Sequence, residues 1–88
     1  MDVDTAFEAL WAAWPRTSKP RTVKMKRGAR TAFYEAVRRG ISCHELLDRA
    51  RAYREHVKRA RLPHTKTKFA HTWLRQQEPS IGGAAAAP

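Results

Sequence analysis

The sequence predicts an all-α protein: a small three-helix bundle followed by a short C-terminal helix and a disordered tail. Three observations carry this. Apolar residues recur at helical spacing in four separate stretches. No stretch alternates apolar and polar residues with the β-branched content of a strand. Pro15, Gly40 and Pro63 fall at the breaks between the stretches, where helices stop. With 88 residues the chain has room for one domain and one core. That domain is expected over residues 1–78, with a Gly/Ala-rich tail at 79–88.

The first helix is expected over about residues 4–14. Asp4 suits its N-cap, Glu8 suits its first turn, and Phe7, Leu10, Trp11 and Trp14 make one apolar stripe. Residues 16–21, with Ser18 and Pro20, read as a basic loop. A second helix follows over about 22–39, with Met25, Ala29, Ala32, Phe33 and Ala36 on one face and Lys24, Arg27, Arg30, Tyr34 and Arg38 opposite. Gly28 costs this helix about 1 kcal/mol relative to Ala, and reads as a place where another helix approaches closely. Gly40 supplies a left-handed C-terminal cap.

The third helix has the clearest start. Ser42 and Glu45 make an S-x-x-E capping box, and Ile41 is placed to staple onto Leu46. Leu46, Leu47, Ala50, Tyr53 and Val57 form its buried stripe, Cys43 faces that stripe and reads as a buried small residue, and Pro63 marks the end of the helix. The short fourth helix is expected over about 67–77, with Thr67 as cap and Phe69, Trp73 and Leu74 apolar.

Charge is the strongest functional signal. Eighteen Lys and Arg stand against eight acids, a formal net charge of +10. Such a field attracts polyanions, and Arg outnumbers Lys by about two to one, which suits phosphate oxygens and guanine edges. The charge is unevenly spread: residues 1–15 hold three acids and no Lys or Arg, whereas residues 16–30 hold seven bases and no acid. The expected nucleic-acid-binding residues are therefore Arg16, Lys19, Arg21, Lys24, Lys26, Arg27, Arg30, Tyr34 and Arg38. The loop leads phosphate to a helix N-terminus, the helix offers a cationic ridge, and Tyr34 is placed to stack on a base or pack on a sugar. The plain alternative is a solvated face with Tyr34 covered by arginine stems. Trp11, Trp14 and Trp73 read as core from their spacing, with base-stacking platforms as the alternative.

Other chemistries are weakly represented. The acids lie at helix starts or on solvated faces, where Asp48 and Glu55 can pair with Arg51, Arg54 or Arg59, so no enzyme is expected. Cys43, His44, His56, His64 and His71 lack metal-ligand spacing, and no Gly-rich phosphate loop occurs, so no metal or cofactor is expected. One cysteine rules out an internal disulfide and fits a reducing compartment. No basic-then-apolar leader opens the chain and no apolar run approaches about 18 residues. The expected location is the cytoplasm of a bacterial host, with no membrane partner.

The order of motifs is more specific than any one of them. Phe7, Leu10, Trp11, Trp14 and Pro15 make F-x-x-L-W-x-x-W-P; a basic Lys-Pro-Arg stretch, R-R-G-I-S, the Leu46-Leu47-x-x-Ala50-x-x-Tyr53 helix and Thr72-Trp73-Leu74 follow. Over about residues 7–77 this resembles the C-terminal helical module of phage and prophage replication-initiation (replisome-organiser) proteins. Arg75 stands where that family has Asn, and its second closing Trp is absent. The resemblance implies a DNA-binding role in phage DNA replication and supplies no catalytic residues. Two alternatives stay open. One is a small phage protein-interaction module or inhibitor, either a helicase-loading contact or an anti-defence protein docking on an acidic host protein. The other is a helix-turn-helix regulator reading DNA through residues 42–60, a segment whose acids would repel phosphate.

Overall fold

A computed structural model describes residues 2–79 of the chain. The expected Gly/Ala-rich tail lies, apart from Pro79, outside the described residues. Four α-helices are present: α1 (Val3–Ala13), α2 (Val23–Arg38), α3 (Cys43–Ala60) and α4 (Ala70–Arg75), with a 3-10 turn at His64–Lys66 between the last two. No strand occurs among the described residues, so the protein is all-helical as its periodicity predicts.

The first three helices start where a short polar side chain can take an unpaired N–H, but not always at the expected residue. Asp2, not Asp4, caps α1 by accepting from the Thr5 N–H at 2.7 Å, and that bond holds the Asp2 carboxyl below the usual carboxylate range. Thr22 caps α2 and Ser42 caps α3, through the N–H groups of Met25 and Glu45. Thr67 caps nothing: its hydroxyl donates to the Pro63 carbonyl inside the 3-10 turn, and α4 starts only at Ala70, with no side-chain cap. The fourth helix is thus six residues long, shorter than the expected 67–77.

The exits of α2 and α3 share one hydrogen-bond pattern and differ in the residue used. After α2 the N–H groups of Gly40 and Ile41 donate to Val37 and Ala36, a Schellman closure with Gly40 at φ +106°. After α3 the N–H groups of Arg61 and Leu62 donate to Lys58 and Val57, yet Arg61 occupies the left-handed position at φ 51°.

Packing pairs α2 with α4 and α1 with α3, with a smaller α1–α2 contact; α2 and α3 do not form such a pair despite their short connection. Phe7, Leu10, Phe33, Ile41, Leu46 and Leu74 are the largest fully buried side chains, each worth about 1.5–3 kcal/mol of burial. Phe7 and Phe33 meet edge-on at 5.7 Å, which locks α1 against α2. A second aromatic group joins α1's end to α3 and α4. Trp14 lies 5.2 Å from Tyr53 and 5.1 Å from Trp73, and its indole N–H donates to the Lys68 carbonyl at 3.0 Å.

Gly28 does not serve a close helix approach. A side chain there would meet open space, and the small buried residues of α2 are Ala29, Ala32 and Ala36. Gly28→Ala is therefore expected to stabilise the fold by about 0.5–1 kcal/mol, through helix propensity and a less flexible unfolded chain. A urea titration followed by circular dichroism checks this; an unchanged or lower midpoint would contradict it.

Candidate nucleic-acid interface

The α1–α2 loop carries Arg16, Lys19 and Arg21 to the surface, but their charges have different fates. Arg21 turns back onto α1. Its guanidinium donates to the carbonyls of Trp11 (2.8 Å) and Trp14 and lies 4.9 Å over the Trp11 ring. These carbonyls sit at the negative end of the α1 dipole, so Arg21 closes that helix. Arg16 and Lys19 are exposed, and their side chains have no hydrogen bond or ion pair among the described residues.

The expected ridge on α2 divides into two stripes. Lys26, Arg30 and Tyr34 recur every four residues and face the acids of α1, which are also four apart. Lys26 pairs with Glu8 at 2.9 Å; Arg30 lies 3.4 Å from Asp4 and 3.7 Å from Glu8; the Tyr34 hydroxyl donates to Asp4. That bond raises the Tyr34 phenol above its ordinary pKa, because ionisation would set two anions side by side. The pairs are half-exposed and worth at most about 1 kcal/mol each, so they neutralise charge more than they hold the fold together. The other stripe is Lys24, Arg27 and Arg38. At about 100° per residue these lie within about 60° of one another. They are exposed, and their side chains have no partner among the described residues. Glu35 stands at the edge of this stripe.

Of the nine expected site residues, five therefore keep an available charge (Arg16, Lys19, Lys24, Arg27 and Arg38). Arg21, Lys26, Arg30 and Tyr34 are engaged within the molecule. Tyr34 keeps 40% of its surface exposed beside Arg38 and Arg30 in a shallow depression. The tryptophans do not form open stacking platforms: Trp14 and Trp73 are 5% and 6% exposed in the aromatic group, and half-buried Trp11 lies under Arg21.

Other arginines hold the C-terminal segment. Arg39 donates to the carbonyls of Leu74 and Gln77, and Arg49 bridges Glu45, the Gln77 side chain and the Glu78 carbonyl. The sequence reading also missed His64. It sits with Arg16, Lys19 and Arg21 around one groove, although more than forty residues separate it from them. A sequence signal for that region exists: residues 51–68 contain seven Lys or Arg and one acid, Glu55.

Among the described residues, no three His, Cys, Asp or Glu side chains come together as metal ligands. Cys43 is half-buried against the core rather than fully enclosed, and no described helix is long and apolar enough to cross a membrane. No protein-family model, curated protein or solved structure matches the chain.

Proposed function

We propose that this chain is a DNA-binding module of phage-type replication that grips the nucleic-acid backbone through its α1–α2 loop and the outer stripe of α2. The observation that carries the reading is the set of unpartnered, exposed cations Arg16, Lys19, Lys24 and Arg27, joined farther along α2 by Arg38, in a segment that holds no acid between residues 16 and 34. Unpaired guanidinium and ammonium groups repel one another, and polyphosphate relieves that repulsion while releasing its own counterions. The replication context is supported by the resemblance alone. Of the residues that carry it, Phe7, Leu10, Trp14, Leu46, Leu47, Trp73 and Leu74 are core residues and speak to the scaffold, while the Lys-Pro-Arg stretch is exposed.

Fluorescence anisotropy with matched single- and double-stranded oligonucleotides tests the reading. Low-micromolar or tighter binding is expected at 0.05 M salt. With five phosphate contacts, affinity should fall by about 10²–10³ between 0.05 and 0.2 M salt. Absence of binding at low salt, or binding indifferent to salt, would refute it. A stoichiometric protein captured from nuclease-treated host lysate by a chain that binds no oligonucleotide would favour docking on an acidic host protein instead.

A further inference from the structure

The α1–α2 loop, residues 16–21, and His64 of the sequence-distant 3-10 turn line one groove. We propose that they form a second phosphate-holding subsite, in which Arg61, His64 and Lys66 act together with Arg16 and Lys19. This rests on the DNA-binding reading and extends it to residues from another part of the chain.

The groove between the loop and the 3-10 turn is lined by Arg16, Lys19, Arg21 and His64 with uncharged neighbours and no carboxylate. Its walls are fixed from behind. The backbone of Lys68 is held on both sides: its N–H donates to the Tyr53 hydroxyl at 2.9 Å, and its carbonyl accepts from the Trp14 indole. The turn itself is closed by the N–H groups of Lys66 and Thr67, which donate to Pro63 and His64, and by the Thr67 hydroxyl. The loop starts just after Trp14 and the turn ends just before Lys68, so the Trp14–Lys68 hydrogen bond ties the two segments together. Such a preformed cationic concavity needs no reorganisation to receive an anion.

Arg61 adds an independent observation. Its left-handed backbone suits glycine, which would make the same closure of α3 without steric cost. Yet an arginine occupies it, and its exposed side chain has no hydrogen bond, ion pair or ring contact among the described residues. Lys66, on the other side of His64 in the turn, is likewise exposed and unpartnered. A cation kept at a strained position, three residues before the His64 that lines a groove without acids, is accounted for by an anion outside the molecule.

The full chain is titrated with whichever of the two oligonucleotide forms binds tighter, across 0.05–0.2 M salt, alongside R61G/K66A, which removes two charges, and the one-charge control R75A. R61G/K66A should bind about tenfold more weakly at 0.1 M salt, with a salt slope shallower by nearly 2. R75A should change affinity less than about twofold, since Arg75 ends α4, belongs to neither the loop nor the turn, and contributes only to the long-range field. R61G alone should melt no lower than the parent, which separates lost contact from lost fold. In NMR spectra the His64 ring signals should shift on addition of oligonucleotide and those of His44 should not. If the parent binds while R61G/K66A matches it in affinity and slope and the His64 signals stay put, the subsite is refuted and the α2 reading stands. If the parent binds neither oligonucleotide at 0.05 M salt, both fall.

Discussion

Trp14→Ala should leave the chain largely unfolded at 37 °C. The indole is 5% exposed, contacts the rings of Tyr53 and Trp73, and satisfies the Lys68 carbonyl. Truncating a buried Trp costs about 3–5 kcal/mol in lost burial and residual cavity. Loss of the part-buried hydrogen bond to the Lys68 carbonyl adds about 0.5–1.5 kcal/mol. A domain of this size has roughly 4–13 kcal/mol of total stability, so the loss takes much or all of it. Trp14→Phe keeps a ring in place and loses the N–H, and should fall between the two. Urea unfolding monitored by circular dichroism and near-ultraviolet signals would show this order. A Trp14→Ala midpoint close to that of the parent would mean that the joint between α1, α3 and α4 does not depend on this ring.

The second large effect is on binding. Replacing Arg16, Lys19, Lys24 and Arg27 together by Ala should weaken oligonucleotide binding by about 10³ at 0.1 M salt and flatten the log–log salt slope by about 3.6, four contacts at about 0.9 each. The loss should be similar for every oligonucleotide sequence, because phosphate contacts position a protein without reading bases. Melting temperature should hold or rise, since these side chains make no intramolecular bond and repel one another. Lys26 and Arg30 behave differently, because Asp4 and Glu8 already occupy them. Arg30→Ala should reduce affinity less than Arg27→Ala, even though both residues belong to the same basic block. Equal binding by the quadruple variant and the parent at 0.1 M salt would remove the loop and the outer α2 stripe from the interface.

The contrast between Arg27 and Arg30 shows where sequence reasoning loses resolution. Helical periodicity placed both on the outward side of α2, and both are there. What periodicity lacks is the neighbour. Arg30 lies over Phe7 and beside Asp4 because α1 crosses that side of α2, and Arg27 is one stripe farther round. The same missing neighbour explains the shifted cap of α1. Asp2 and Asp4 are both chemically fit to cap, but Asp4 is drawn to Arg30 and Tyr34 of α2, and Asp2 takes the Thr5 N–H. At the other end, Thr67 has the sequence of a cap, yet its hydroxyl serves the 3-10 turn, and Tyr53 and Trp14 hold the Lys68 backbone between the extended residues Thr67 and Phe69, so α4 starts only at Ala70.

Features closed within one or two helical turns were legible in the residues alone. They include the apolar stripes, the Ser42 cap, the glycine closure at Gly40 and the positive excess itself, because each depends on partners three to five positions away or on simple counting. Which cations remain open to a ligand was decided only in three dimensions. That outcome depends on Asp4 and Glu8 meeting Lys26 and Arg30, and on Trp14 meeting Lys68 so that His64 arrives beside the loop. Eight acids cannot cancel eighteen bases, so composition guaranteed a surplus of positive charge; the crossing of the helices determined where that surplus lies.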